Sequence, residues 1–553
     1  MFNFDQVSNK FKELNSSESN EMNLLNFDFV SVDDWDFNVE EIEPLMNLTQ
    51  PQKLAQREND CTSLIKSSSS RLDRPMWDFS HQQSQLPSSF KILKDYDTTR
   101  LIKRSKTEQN IIISNECIKE HNGSMLSTDE ILRLGAEKFI QSFTIRGDQE
   151  PYMFSHPFAS SFLGLPEEDT RNVALVENLL ASAEKVGQKQ FDRARRILNE
   201  CDKLCSNTGN AIQRLVYYFS QALHERIDRE TGRDSSKGIE MKRLVQHIEH
   251  SLMNLNLTMI AAHQNIPLSQ VTQFTAVQAI IDHVGESKKV HIIDLKIGSG
   301  MQWTILMQAL VTHQFESESE SIKHLKITAL CTKLRHKIEE TRQRLMDFAK
   351  SLNLPFSFNI VMVKDMTELK QEDFEIDNEE SIAIFAQYIL MWMLARPDKL
   401  DSLMRVIKGI NPRAMIVIEV EANHNSPVFV DRFVEALFFY GAFFDSLEDC
   451  MKNDERNRTA TELEHLSQGI RSIVATEGEE RTIRHVKVDV WRAFFARYGM
   501  EEMELSMSSL YQANLVLKNF ACGSCCTLEM NKNCLLIGWK GTPLNSLSAW
   551  KFS

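Results

Sequence analysis

Asp294 ends a run of β-prone residues, Val290-His291-Ile292-Ile293-Asp294. Leu295-Lys296-Ile297-Gly298-Ser299-Gly300 follows, then Gln302-Trp303 opens an apolar helical pattern carrying Ile305, Leu306 and Leu310. A carboxylate closing a strand, a glycine-containing turn and a helix form the opening of a doubly wound α/β sheet. Such sheets bind nucleotide-type ligands at the carboxyl ends of their strands. Glu419, Glu421 and His424 make a second candidate set, since carboxylates and an imidazole at a strand end can pass a proton. Asn423 and Asn425 flank them as turn formers, which favours a loop with a structural task. The third candidate is Cys522-x2-Cys525-Cys526-x7-Cys534. Structural zinc needs four converging ligands, usually as two separated pairs, whereas these four crowd one loop. A thiol-rich loop without metal is therefore expected. Cys201-x3-Cys205 lies on a helical pattern with no His or Cys pair nearby. Neither a Ser-His-Asp context nor a phosphate-cradling P-loop occurs, so no catalytic, cofactor-binding or metal-binding residue is assigned.

The elements that must position these residues change character along the chain. Leu175, Leu179, Ala183 and Val186, with Val176 and Leu180, form an apolar stripe opposite Glu177, Glu184 and Lys185. Phe191, Ala194, Ile197 and Leu198 continue it in a second helix after Gly187. Val176-x2-Leu179-Leu180 has the spacing of a co-regulator box, but on a full apolar stripe it reads as core. From Lys289 onward short β-rich runs alternate with helical patterns: Val290–Leu295, Leu325–Leu330, Phe356–Val363, Ser381–Phe385 and Ala414–Val420, with helices such as Lys333–Leu352 and Pro397–Lys408. Such alternation predicts a largely parallel sheet covered on both faces. Tyr511–Lys518 and Cys534–Trp539 enclose a Gly/Cys/Asn loop and read as an antiparallel hairpin at the sheet edge.

Composition bounds the function. The chain has 553 residues, 42% of them hydrophobic, and a formal net charge of −14. That balance argues against gripping naked DNA with the whole surface, because phosphate contacts need clustered Lys and Arg. Ten Cys without regular spacing suggest reduced thiols of an intracellular protein. The sequence starts without a basic and apolar leader, and its densest apolar stretches are too short to span a bilayer, so a soluble protein is expected. Residues 1–125 are rich in Ser, Asn, Gln and Asp and are expected to be a disordered regulatory tail. Within it, Leu24–Met46 holds seven acidic residues, no Lys or Arg, and the rings Phe27, Phe29, Trp35 and Phe37. Acidic–aromatic alternation is the composition of a docking or activation segment whose rings enter a partner's groove. Lys103-Arg104 with Lys106 is too sparse to read as a nuclear import signal.

The wording of the central segment is specific. Val290-His291-Ile292-Ile293-Asp294 with Gln302-Trp303 resembles the signature of the plant GRAS family of transcriptional regulators, and the match runs from about Phe139 to the C-terminus. A leucine-rich helical region over roughly 172–235 ends in Ala222-Leu223-His224-Glu225-Arg226. Phe274-Thr275-Ala276-Val277-Gln278-Ala279-Ile280 is similar to the family's lead-in to its signature. Arg396-Pro397-Asp398 and Glu419 through Asn425 (with Glu421, Asn423 and His424) resemble the region around its Pro-Phe-Tyr-Arg-Glu motif, followed by Arg432-Phe433. Trp491-x7-Gly499, Trp539-x10-Trp550 and Ser548-Ala549-Trp550 complete it, with the three Trp read as core anchors. The sequence lacks an Asp-Glu-Leu-Leu-Ala segment, so the resemblance does not extend to the gibberellin-degraded DELLA branch by motif.

GRAS domains resemble S-adenosylmethionine-dependent methyltransferases in fold. On that pattern Asp294 takes the acid position and Gly298 and Gly300 the second and third glycines of the first loop, but Lys296 replaces the first glycine. A long side chain there obstructs a tight turn. The ribose-binding acid expected after the second strand is also missing, since that strand runs into Leu330-Cys331-Thr332. The expected fold is a Rossmann-like, methyltransferase-like doubly wound α/β sheet with an α-helical cap and the tail. Residues 126–285 would form the mainly helical cap and leucine-rich region, and 286–553 the α/β core. The resemblance implies a nuclear regulator rather than an enzyme. It would act through zinc-finger DNA-binding partners and other GRAS proteins, as homo- or heterodimer, and in part of the family through direct DNA contact. No cofactor and no membrane are implied. The alternative is a methyltransferase-like enzyme or a small-ligand sensor using the same cleft.

Overall fold

The computed structural model describes residue 93 and residues 126–144, 165–233, 261–316, 322–332 and 335–553. The tail with Phe27, Phe29, Trp35 and Phe37 lies outside the described residues.

β1 (Lys289–Asp294) pairs in parallel with β2 (His324–Cys331) on one side and β4 (Ser381–Gln387) on the other. β3 (Phe356–Met362) extends the sheet beyond β2, and β5 (Ala414–Val420) lies beside β4. β1, β2, β4 and β5 are buried along almost their whole length, as inner parallel strands covered on both faces must be, whereas β3 at the sheet edge is half-buried. The five β-rich runs named from sequence are thus five parallel strands. The chain reverses at β9 (Thr542–Phe552), antiparallel to β5, after which β8 (Cys534–Trp539) and β7 (Cys526–Asn531) complete the order β3-β2-β1-β4-β5-β9-β8-β7. β6 (Met500–Met503) also pairs with β9. The direction of strand addition switches between β1 and β4, so the cleft that doubly wound sheets use for ligands opens beside Asp294.

A helical layer gathers α1 (Thr128–Thr144), α2 (Glu167–Gly187), α3 (Phe191–Leu204) and α4 (Ala211–Thr231). Val176, Leu179 and Leu180 are core residues of α2. α5 (Pro267–Val284), which leads into β1, packs on β4 and β5. α6 (Met301–Glu316) and α7 (Arg335–Ser351) are the crossovers from β1 to β2 and from β2 to β3. α8 (Pro397–Ile410) joins β4 to β5. After β5, the 22-residue α9 (Phe429–Cys450) returns to the helical layer and packs on α1, α2 and α4. A Cβ at Gly441 of α9 would meet the end of the Leu132 side chain of α1 and force it to shift, which marks the close approach of these helices. The short α10 (Glu455–Thr461) leads through a π-helical turn into α11 (Ser467–Ala475), which packs on α4.

One element differs from expectation. Tyr511–Lys518 is not a strand: Met507–Leu517 forms α13, following α12 (Val488–Ala496) and β6. Ser506 caps it by accepting from Ser509 N at 3.0 Å, and Ser509, Gln512, Ala513 and Val516 recur on a buried helical face against α5. The β-prone Leu-Val-Leu run is overridden by this tertiary packing. The hairpin partner of β8 is instead β7, joined across Lys532 (φ +54°) and Asn533.

The cysteines are likewise relocated. Cys526 sits opposite Trp539 and Cys534 opposite Asn531, so the two thiols occupy opposite ends of the hairpin and do not converge. The expectation of reduced thiols throughout is corrected at one pair: Cys450 at the end of α9 forms a disulfide with Cys522, their Cα atoms 6.0 Å apart.

Candidate functional site

The sheet's switch point is built from β1. Asp294 is fully buried, and all three N–H groups recorded on its carboxylate come from its own neighbourhood. Lys296 N donates to Oδ1 at 2.9 Å, while Gln302 Nε2 and Trp303 Nε1 donate to Oδ2 at 3.2 and 2.8 Å. Burial raises its pKa to about 7, against those three hydrogen bonds. The signature spacing now has a cause: Asp294 ends the strand, and the first turn of α6 must return Gln302 and Trp303 to it. The Trp303 indole then meets Phe385 of β4 edge-on, 5.2 Å between centroids. Gly298 and Gly300 take positive φ of +52° and +65°. Their loop is tied down by α7, where Thr341 Oγ1 donates to Gly298 O at 3.0 Å and Arg344 Nη2 to Ser299 O at 3.2 Å. A Cβ on Gly300 would press on Thr341 and Leu345. A phosphate-binding turn offers free N–H groups to its ligand; this one has its carboxylate bonded within the loop and two carbonyls bonded to the next helix.

His291 holds the other end of the signature. One ring nitrogen lies 2.8 Å from Glu380 Oε2 and the other 2.7 Å from Thr328 Oγ1, so the imidazole links β1, β2 and the turn before β4. Burial, with Lys326 nearby, lowers its pKa to about 4. Val290, Ile292 and Ile293 fill the core around it.

Glu419, Glu421 and His424 are not brought together as an acid/base set. Glu419 Oε1 accepts from Leu390 N at 2.9 Å, and burial raises that carboxyl to about 8. Glu421 Oε2 accepts from Val488 N at 2.9 Å, capping α12, and burial raises it to about 7. His424 turns the other way, with Nδ1 2.8 Å from Nδ1 of His485 and its backbone N–H donating to His485 O at 3.0 Å. Asn425 Oδ1 accepts from Arg484 at 3.1 Å, and the buried Ala422 precedes Asn423 in the same connection to α9. Arg396 and Pro397 open α8, with Asp398 in its first turn. Phe433 is buried edge-on against Phe219 of α4, at 5.3 Å.

The C-terminal tryptophans are packing centres. Trp539 Nε1 donates to Asp445 Oδ2 at 2.7 Å, tying β8 to α9. Trp550 Nε1 donates to Ser548 Oγ at 2.8 Å, and its ring lies 4.7 Å from that of Phe495, which stacks on Trp491. Ala549 between them is fully buried, and Gly499 takes φ +77° where α12 turns into β6.

Two clusters had no sequence signal, because their members lie far apart in the chain. Arg214 and Glu462, 248 residues apart, form a fully buried ion pair at 2.9 Å between α4 and the π-helical turn. Arg226 of α4 and Arg432 of α9 meet at the carboxylate of Glu477, in the loop after α11.

A family model described as the GRAS domain family matches residues 175–551. The chain belongs to the GRAS domain family. The DELLA protein RGL1 of Arabidopsis thaliana is 32% identical over 394 residues, 71% of this chain and 72% of that protein. The DELLA protein RGL3 of the same plant is 31% identical over 396 residues, 70% of this chain and 72% of that protein. The crystal structure of SCL7 in Oryza sativa superposes with a TM-score of 0.58 at 26% identity, covering 68% of this chain and 99% of that one. All the site geometry above falls inside the matched GRAS region. Among the described residues no helix is long and apolar enough to cross a membrane.

Proposed function

We propose that this GRAS protein is a nuclear transcriptional regulator that works by protein–protein contact and not by turnover. Its partners are DNA-binding proteins of the zinc-finger type and other GRAS proteins, in homo- or heterodimers, and it reaches DNA mainly through them. The observation that carries this reading is the state of Asp294: the acid that a nucleotide-binding sheet turns toward its ligand is bonded to Lys296 N, Gln302 and Trp303. A net charge of −14 also favours indirect over direct DNA binding. In this reading residues 1–125 recruit co-regulators through Phe27, Phe29, Trp35 and Phe37, residues 126–285 form the helical cap, and 286–553 the α/β body.

The test is affinity purification from plant nuclei with the full chain and with residues 126–553. Zinc-finger DNA-binding proteins should be recovered with both, and the purified chain should bind duplex DNA only when such a partner is added. Tight, sequence-specific DNA binding by the chain alone would replace the proposal with direct DNA recognition.

A further inference from the structure

Where α4, α9 and the loop after α11 meet, three guanidinium groups reach one carboxylate. Arg226 Nη1 lies 2.9 Å from Glu477 Oε1, and Arg432 Nη2 donates to the same oxygen. Arg481 Nε stands 3.8 Å from Glu477 Oε2, within ion-pair range but beyond hydrogen-bond reach. Arg484 is fixed beside them by Asn425 Oδ1 and by the carbonyls of Gly478 and Arg481. Arg226, Arg432 and Arg481 are all buried, whereas the Glu477 side chain is 41% exposed. Arg226 also reaches Glu230 at 3.3 Å.

The donors are not used up. Arg432 Nε and Arg481 Nε are both buried without a hydrogen-bond partner. Buried unpaired donors are costly, and a charged one more so. One further N–H of each is held by backbone: Arg432 Nη1 donates to Ser426 O at 2.8 Å and Arg481 Nη1 to His424 O at 3.0 Å. Both forks are thereby fixed in place before any ligand arrives. Burial, then repulsion from Arg432 and Arg484, pushes Arg481 down to about 9, still charged at neutral pH. Burial works to raise Glu477, but Arg432 and Arg226 outweigh it and hold that carboxyl below its ordinary range.

A single carboxylate supplies one negative charge and two oxygens to this cradle. A phosphate group supplies close to two charges and three strong acceptor oxygens. Fixed guanidinium forks are the side chains that match that geometry. We propose that the Arg226–Arg432–Arg481 cradle is a phosphate-binding site, in which Glu477 is the internal competitor that occupies it in the free protein. Glu477 sits at the solvent side on a loop, so its displacement opens the site without unpacking α4 or α9. Inorganic phosphate and a phosphorylated side chain present the same group, and both fit the chemistry. The site lies apart from the Asp294 cleft and does not depend on the regulatory reading.

The experiment uses the full chain and compares thermal melting in phosphate, in N-acetyl-phosphoserine amide and in chloride at matched ionic strength. Glu477→Gln leaves the guanidinium groups undercompensated, so it should melt lower than the wild type in chloride. Millimolar phosphate should raise its melting temperature by several degrees, more than it raises that of the wild type. The double variant Glu477→Gln/Arg481→Gln should lose most of that rise. A response to inorganic phosphate makes the occupant a free anion, and a response to the phosphoserine amide alone makes it a phosphorylated side chain. Should Glu477→Gln fail to fold, titration calorimetry of the wild type with both probes decides. Heat that is lost on Arg481→Gln supports the site. Absence of any phosphate-specific response in either measurement overturns it.

Discussion

Trp303 Nε1 donates to Asp294 Oδ2 across 2.8 Å, with both side chains sealed from solvent. This bond turns the strand-ending acid of a nucleotide-type sheet inward and makes the signature a lock between β1 and α6. Trp303→Phe keeps most of the ring but leaves a buried carboxylate one donor short. Such a loss costs roughly 1–3 kcal/mol, to be read from urea unfolding at pH 7. An unchanged midpoint would show that the indole N–H does no holding.

The His424–His485 contact sets a pH dependence. Burial, with His485 as the second cause, holds His424 well below its ordinary value, and burial takes His485 down to about 3. Unfolded, both would take up protons near 6.5, whereas folded they resist. The stability they contribute is therefore complete above pH 6.5 and is lost as pH falls toward 3, by up to about 1.4 kcal/mol per pH unit for each imidazole. Glu419 and Glu421, raised to about 8 and 7, act in the opposite sense. Their contribution is whole below pH 4.5 and fades as pH rises through 7 to 8. His485→Gln removes one imidazole term and should lower the quantity ΔG of unfolding at pH 7 minus ΔG of unfolding at pH 5, relative to the wild type. An identical difference would mean that these imidazoles titrate normally.

The tryptophans at the end of the sheet should carry core energies. Trp550→Ala and Trp491→Ala each remove a buried ring from the cluster around Phe495 and should cost roughly 3–5 kcal/mol. Thermal melting reads this directly. Unaltered melting in either variant would transfer that residue from the core to a partner-facing surface.

What could be read from sequence was what repeats locally. β1, β2, β4 and β5 were legible because inner parallel strands are buried on both faces, β3 because its β-prone residues alternate at the sheet edge, and α2 and α3 because their stripes hold a helical period. α13 was not, since an eleven-residue helix with β-prone Leu515, Val516 and Leu517 is decided by its docking on α5. Val290 to Asp294, Gln302 and Trp303 stood out as a pattern, but nothing in the letters showed that Gln302 and Trp303 bond to Asp294. Arg214–Glu462 and the Glu477 cradle join residues more than 200 positions apart, and no spacing rule reaches that far.

In the tail, outside the described residues, the rings of Leu24–Met46 and not its charge should carry activity. Fused to a heterologous DNA-binding domain, the segment should activate a reporter, and changing Phe27, Phe29, Trp35 and Phe37 to Ala should abolish it. Acidic residues keep such a segment solvated, while rings supply the area buried on binding. Full activation without the four rings would discard the model.

Asp294 is committed to its own loop, with Lys296 standing where a tight glycine turn would be needed. Titration calorimetry of the purified full chain with S-adenosylmethionine tests that commitment most directly. No heat of binding above dilution is expected. A low-micromolar dissociation constant would contradict it and make the cleft a working small-molecule site.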